Sequence, residues 1–377
     1  MINLISLKNN EHINIVYKIN KYNAPEKIYI PIQYLERNVK INEYIFKNTY
    51  FKDYVSSISG TISGMEEINY NNKLIKAVVI NNDYKENVKT KSKTIKIDNR
   101  EDLIKRLNKS LLNKISNLEI IDNLIITSID EEYYSIKEFM RLSKNYREIL
   151  DTIDLLTHIF DLNNALLVTK NTNFNSIKNV KSILGTYPNI KITLAPDKYL
   201  IGNKDFLCDY LNKDKTKTLV LTVNEIYDIY SILNGKDITE TLITISGNTL
   251  EKSLLLNVRL GTSLNEIINE YIKILDDDYE VFINGPMQGY KILNNKDIII
   301  SKEIDYIVIN KKEILEEEEC INCGACNKIC PNHINVKKCY LKKLNHIKCI
   351  GCGLCNYICP ANIRLKEIVK SDSIEEE

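Results

Sequence analysis

No apolar stretch of this 377-residue chain approaches the roughly 20 residues needed to cross a bilayer. The chain is therefore expected to have no membrane span of its own. No secretory signal is expected from Met1 to Tyr17, which mix Lys8, Asn9, Asn10, Glu11 and His12 into their apolar residues. Charge of either sign is not in excess. There are 51 Lys and Arg against 50 Asp and Glu, a formal net charge of +1, so no global field favours nucleic acid or anionic lipid. Glycine is scarce, 12 in all, and Asn, Lys and Ile are abundant. A genome of biased composition accounts for that pattern, so single Lys and Asn residues carry little meaning. These absences lead to the expectation of a cytoplasmic, reducing location, where thiols persist as thiols. The length exceeds one ordinary core and implies two to four domains.

Cysteine is not scarce. Eight of ten cysteines fall into two copies of one pattern, Cys320-x-x-Cys323-x-x-Cys326-x-x-x-Cys330-Pro331 and Cys349-x-x-Cys352-x-x-Cys355-x-x-x-Cys359-Pro360. This is the spacing of a bacterial-type pair of [4Fe–4S] clusters. Three cysteines at steps of three wrap one face of an iron–sulfur cube, and the fourth ligand comes from the other run. Cys320, Cys323, Cys326 and Cys359 are assigned to one cluster, and Cys349, Cys352, Cys355 and Cys330 to the other. Gly324, Gly351 and Gly353 let backbone N–H groups approach the sulfurs. Pro331 and Pro360 restrict the chain after each fourth cysteine. Ile321, Ile329, Ile350, Leu354 and Ile358 are expected to shield the clusters. Zinc sites usually show separated C-x-x-C pairs rather than two triplets each followed by Cys-Pro. Cys339 and Cys208 fall outside the pattern and read as packed residues. His333 and His346 have no spacing that demands ligation.

The rest of the chain changes period three times. Residues 13 to about 95 read as short strands, among them Ile28–Ile32, Val55–Ile62 and Ala77–Ile80, with Ser59–Gly64 as a turn. From Arg100, helical spacing appears over Asp102–Ile115 and Ser135–Phe160, the latter opened by a capping box of Ser135 and Glu138. Phe174–Leu184 reads as a further helix. Leu124–Ile126, Ala165–Val168, Ile190–Leu194 and Leu219–Val223 read as strands, so a parallel-sheet α/β unit is expected. Strands at Leu242–Ile245, Leu254–Leu260, Val281–Ile283 and Tyr306–Ile309, with a helix at Leu264–Leu275, form a small α+β unit. The run Glu316–Glu319 reads as a solvated linker with a weak hinge signal, and the acidic tail as disordered.

In this order the parts resemble the C-subunit family of the Rnf ion-translocating electron-transport complex and its relatives that feed soluble reductases, such as the electron-transfer partner of proline reductase. Asn234-Gly235-Lys236, Ile245-Ser246-Gly247, Val258-Arg259-Leu260-Gly261-Thr262 and Gly285-Pro286-Met287-Gln288-Gly289 stand in the family's order. Upstream, Ile30-Pro31-Ile32 and Val55–Ile62 look like its barrel-sandwich domain. The resemblance implies a multidomain α/β plus α+β chain. Its parts are a barrel-sandwich-like β domain (1–95), a Rossmann-like parallel-sheet domain (96–238), a β-grasp soluble-ligand-binding module (239–312), a two-[4Fe–4S] ferredoxin-like domain (313–370) and an acidic tail (371–377).

One departure matters. The family's α/β domain usually carries a Gly-rich loop resembling a flavin and NADH site, where backbone N–H groups approach a phosphate. Here Leu107 to Leu118 contains no glycine and reads as helix. The family's acidic segment is echoed by Asp130-Glu131-Glu132-Tyr133-Tyr134, in which Asp130, Glu131 and Glu132 read as a helix N-terminal acidic patch, with a residual cofactor role as the alternative. Its Tyr-Pro…Gly…Glu segment appears as Tyr199-Leu200-Ile201-Gly202-Asn203-Lys204, without proline or glutamate. The expectation is two [4Fe–4S] clusters, with no FMN bound and no NADH oxidised.

The resemblance implies single-electron relay between a redox partner and an acceptor: Rnf-like membrane subunits, or a soluble reductase, or a ferredoxin or flavodoxin. Contact with the cytoplasmic face of the membrane would come through partner subunits, and no nucleic acid is involved. An NADH-oxidising flavoprotein and a binding module with structural clusters are the competing readings. Lys337, Lys338, Lys342 and Lys343 either steer an acidic partner or form a solvated face.

Overall fold

The computed structural model describes residues 19–22, 24–35, 38–52, 54–70, 73–88, 97, 99–105, 107, 109–132, 134–292, 297–312 and 316–370. Met1 to Tyr17, the ends of the 13–95 strand region, Tyr133 and the tail 371–377 lie outside them. Among the described residues no helix is long and apolar enough to cross a membrane.

The chain enters on a short strand, β1 (Ile19–Lys21), and then builds an antiparallel unit from β2 (Lys27–Pro31), β3 (Tyr44–Ile45), the hairpin β4 (Tyr50–Phe51) and β5 (Tyr54–Val55), β6 (Gly60–Tyr70) and β7 (Lys73–Asn82). The main sheet runs β2-β7-β6-β3. In β7, Ala77–Ile80 are all buried because both faces are covered. Val78 and Ile80 pack on Ile28, Ile30, Ile45 and Ile62, while Ala77 and Val79 meet Tyr29, Ile68 and Ile299. The reading of Ser59–Gly64 as a turn is corrected here. Gly60 opens the long strand β6, and the register shifts between Ile62 and Gly64 as in a bulge. A β-carbon at Gly60 would stand 1.8 Å from the Asn81 carbonyl oxygen, so this glycine serves close strand approach.

The second unit holds α1 (Arg100–Ile104), α2 (Lys109–Ser116), β8 (Asn123–Thr127), α3 (Lys137–Lys144), α4 (Tyr146–Ile159), β9 (Ala165–Lys170), α5 (Lys178–Ile183), β10 (Ile190–Ala195), α6 (Lys204–Tyr210), β11 (Thr218–Thr222) and α7 (Val223–Leu233). Its sheet, β10-β9-β8-β11, is parallel throughout, as strands alternating with helices require. Three helical readings are shortened or divided. Asp102–Ile115 splits into α1 and α2, Ser135–Phe160 splits at Asn145, and Phe174–Leu184 keeps only the short α5 flanked by 3-10 turns.

The capping box at Ser135 and Glu138 is absent. The Ser135 hydroxyl donates to Asp130 Oδ1 at 2.6 Å, and the Glu138 carboxylate accepts the Asn224 N–H at 2.8 Å. A capping box stands instead at Thr222 and Glu225, opening α7.

The third unit comprises β12 (Glu240–Ser246), β13 (Leu254–Arg259), α8 (Leu264–Tyr271), β14 (Tyr279–Ile283), β15 (Tyr290–Lys291) and β16 (Tyr306–Lys311). Its mixed sheet runs β1-β13-β12-β16-β14-β15, so residues 19–21 complete its edge. Arg259 ties it to the first unit. The guanidinium is 8 % exposed, donates to the Ser57 carbonyl and pairs with Glu86 at 2.8 Å.

The cysteine-rich end folds into four short helices, α9 (Ala325–Ile329), α10 (Val336–Lys342), α11 (Leu354–Ile358) and α12 (Leu365–Val369). The Glu316–Glu319 run is exposed but tethered: the Glu318 N–H donates to Ala361 O at 3.0 Å and Arg364 pairs with Glu317. This replaces the hinge reading.

Candidate functional site

Each cysteine run is the start of a longer repeat. Positive φ recurs at matching places: Asn322 (58°) and Gly351 (69°), Gly324 (71°) and Gly353 (75°), His333 (53°) and Asn362 (52°). Left-handed residues turn each loop around its cysteines and lead into a helix. Within each helix an asparagine locks the chain that returns. Asn327 Oδ1 accepts the Lys337 N–H at 2.9 Å, and Asn356 Oδ1 accepts the Lys366 N–H at 2.6 Å. The halves share one small core containing Ile334, Val336, Ile363, Leu365 and Val369.

Two cavities lie between the halves. One, about 400 Å³ with its open mouth, is lined by Cys320, Cys323, Cys326 and Cys359. The other, about 370 Å³, is lined by Cys330, Cys349, Cys352 and Cys355. Each therefore gathers three cysteines of one run and the last cysteine of the other. Cys339 is buried in the shared core and lines neither cavity; Cys208 is buried in the α/β unit. His333 and His346 line neither cavity. Of the expected shielding residues, Leu354 is buried and Ile329 half-buried, whereas Ile321, Ile350 and Ile358 are exposed.

The donor chemistry suits thiolate ligation. Burial pushes the free thiols up, Cys352 to about 11 and Cys355 to about 12. Backbone N–H groups of Leu354 and Asn356 act in the opposite sense on the same sulfurs, and that of Gly351 does so at Cys349. N–H groups directed at sulfur stabilise a thiolate once an iron centre replaces its proton.

The two cavities differ in surroundings. Cys323 at the first is exposed, while Cys352 and Cys355 at the second are buried. The second cysteine loop is docked on the rest of the protein. Tyr199 OH donates to the Cys352 carbonyl at 2.6 Å, and Leu354 packs with Tyr199, Leu200 and Phe206. Lys366 Nζ donates to the Met287 and Gly289 carbonyls at 3.0 and 2.9 Å. The Gly285–Gly289 motif is thus the seat of the second loop. A β-carbon on Gly353 would stand 2.4 Å from the Met287 carbonyl oxygen.

Glu132 joins this junction from the α/β unit, accepting the Gln288 N–H at 2.9 Å and lying 3.4 Å from the Tyr199 hydroxyl oxygen. It is not part of a helix N-terminal patch, as the sequence suggested; Asp130 takes that part, reaching the Glu138 N–H at 3.4 Å. Sequence reasoning passed over Glu132, Tyr199, Met287 and Lys366 as site-forming residues. Where a glycine-rich loop was sought, α2 instead buries Leu111 and Ile115 in the sheet core.

Glu132 is 3 % exposed, and burial pushes its carboxyl up to about 7 against the pull of Gln288, Tyr199 and Lys366. The unfolded chain gives up this proton near 4.5, whereas the folded chain holds it to about 7. Folding therefore loses stability as pH rises through that window. Glu132→Gln keeps an acceptor and cannot ionise. Its melting midpoint relative to the parent is expected to rise from about pH 5 to about pH 8, equivalent to roughly 2–3 kcal/mol. An equal difference at both pH values would contradict this account.

No family model matches the chain. Among curated proteins, it is similar to the C-subunit of the ion-translocating oxidoreductase complex of Buchnera aphidicola subsp. Acyrthosiphon pisum, 25% identical over 243 residues, covering 60% of this chain and 51% of that protein. The corresponding C-subunit of Citrobacter koseri is 24% identical over 234 residues (58% and 33%), and that of Buchnera aphidicola subsp. Baizongia pistaciae 25% over 244 (60% and 48%). The similarity suggested by the ordered motifs is thus found, though the chain spans about half or less of these relatives' length. Among solved structures it is similar to an NAD+-reducing [NiFe]-hydrogenase chain in the H2-reduced state, with TM-score 0.45 and 14% identity over 55% of this chain and 44% of that one. The air-oxidised state gives TM-score 0.45 and 11% identity, covering 56% and 46%.

Proposed function

We propose that this chain is an electron-transfer subunit of an oxidoreductase assembly and holds two [4Fe–4S] clusters. Cys320, Cys323, Cys326 and Cys359 hold one; Cys349, Cys352, Cys355 and Cys330 hold the other. The observation that carries the reading is the division of eight cysteines, four and four, between two cavities. Such a cluster takes up and gives back one electron at a time. Against a single zinc ion, which needs its ligands about 2.3 Å from one point, the thiols ring a space.

The protein's part is to hold the ligands and set their surroundings. Gly324 and Gly353 turn the loops, N–H groups face the sulfurs, and Tyr199, Leu200, Phe206 and Met287 keep water from the second set. The α/β unit acts as a scaffold without bound flavin, a reading supported by α2, a glycine-free helix whose Leu111 and Ile115 are buried in the sheet core. Donor and acceptor are other redox proteins: subunits of a membrane complex of the kind its curated relatives belong to, or a soluble reductase. In the former case the chain would lie peripherally on the cytoplasmic face. Anaerobically reconstituted protein should contain about eight irons and as many sulfides. Firmly bound zinc, or about four irons, would overturn the proposal.

A further inference from the structure

Between Cys320 and Lys366 the chain carries eight Lys and Arg and no Asp or Glu, within a protein whose net charge is only +1. Two of these cations are already engaged: Arg364 pairs with Glu317, and Lys366 is buried on the Met287 and Gly289 carbonyls. Lys342, Lys343 and Lys348 are exposed and form no ion pair among the described residues. Beside and between them stand three large aliphatic side chains that face water: Leu341 at 62 %, Leu344 at 50 % and Ile347 at 92 % exposure. Exposed aliphatic side chains interleaved along the chain with unpaired charges of one sign have the composition of a transient docking surface.

The segment is held in place. Lys343 takes a left-handed turn (φ 49°) that ends α10. The Leu344 N–H donates to Cys339 O at 2.9 Å, the His346 N–H to Val369 O at 2.8 Å and the Cys349 N–H to His346 O at 2.8 Å. The face also borders both cysteine sets. Lys337 and Tyr340 of α10 line the first cavity, and Lys348 and Ile350 line the second. The opposite side of the second loop is closed by buried Tyr199, Leu200 and Phe206.

We propose that the face from Leu341 to Lys348 is the docking site of a small electron-carrying protein with an acidic surface. This rests on the proposed electron-transfer function and adds the place and chemistry of the encounter. Lysines with aliphatic residues also suit an anionic bilayer. The protein partner is favoured because a carrier must come close to the cysteine loops, and here residues beside both sets reach the surface.

The test uses the full cluster-loaded chain and measures equilibrium binding of an oxidised acidic two-iron ferredoxin. A basic cytochrome of similar size and vesicles of phosphatidylcholine and phosphatidylglycerol in equal amounts serve as comparison probes. Ferredoxin binding should weaken about tenfold between about 50 and about 300 mM salt. Combined Lys342→Glu, Lys343→Glu and Lys348→Glu should weaken it at least about tenfold at the lower salt and flatten the salt dependence. Ile347→Ser should weaken it at both salts and leave the slope unchanged. An unaltered triple variant, equal binding of the cytochrome, or vesicle binding without ferredoxin binding would overturn the proposal. Iron content of the same samples reports separately on the clusters. Full iron with insensitive binding sinks only the docking site, whereas absent iron sinks both readings.

Discussion

Gly353→Ala is expected to lower bound iron from about eight to about four per chain and to depress the melting midpoint markedly. Two costs combine. Gly353 has φ 75°, a conformation that costs an L-residue about 1–2 kcal/mol. Its new β-carbon would also stand 2.4 Å from the Met287 carbonyl oxygen. That carbonyl cannot retreat freely, because it accepts from Lys366 Nζ. The loop carrying Cys352 must move instead, and it would leave the Tyr199 hydroxyl behind. Gly324 is the matching residue of the first run, with φ 71° but nothing within 4 Å of its β-carbon. Gly324→Ala therefore incurs only the backbone cost and should keep its iron. Equal iron loss in the two variants would show that docking on Met287 does not matter.

Cys330→Ser is expected to remove the iron bound with Cys349, Cys352 and Cys355, not the iron bound within its own run. The sequence places Cys330 four residues after Cys326, but the cavity it lines belongs to the other run. Combination with Gly353→Ala makes the assignment testable, since variants that act on one shared site are not additive. Cys330→Ser with Gly353→Ala should lose little more iron than either alone, leaving about four. Cys359→Ser with Gly353→Ala should lose nearly all. If each run held its own cluster, the two double variants would exchange results.

The legibility of this chain follows the range of its interactions. Apolar and β-branched runs between turn signals located β2 and β7, and four such runs between helices announced the parallel sheet of β8 to β11, because local pattern decides these elements. The cysteine spacing was local as well. A 29-residue repeat extends past it, through Asn327 and Asn356 and through Ile334 and Ile363, and could have been read by aligning the two runs. The misread elements are those in which a distant group overrides local chemistry. The Glu138 carboxylate accepts the Asn224 N–H instead of closing a capping box, and Gly60 admits the neighbouring strand instead of turning. The junction of Glu132, Tyr199, Gln288 and Cys352 spans more than 150 residues of sequence. No local pattern announces it; the sequence reads Glu132 as part of a helix N-terminal acidic patch and Tyr199 as the echo of a cofactor segment, whereas here they seat a cysteine loop.

The most direct test of the central claim is an anaerobic reductive titration of the reconstituted chain, followed by electron paramagnetic resonance. The account predicts two one-electron equivalents per chain, reversibly returned to an oxidant, with a spectrum broadened by magnetic interaction between two reduced clusters. Uptake of one equivalent with an isolated signal, or no uptake by iron-loaded protein, would contradict it.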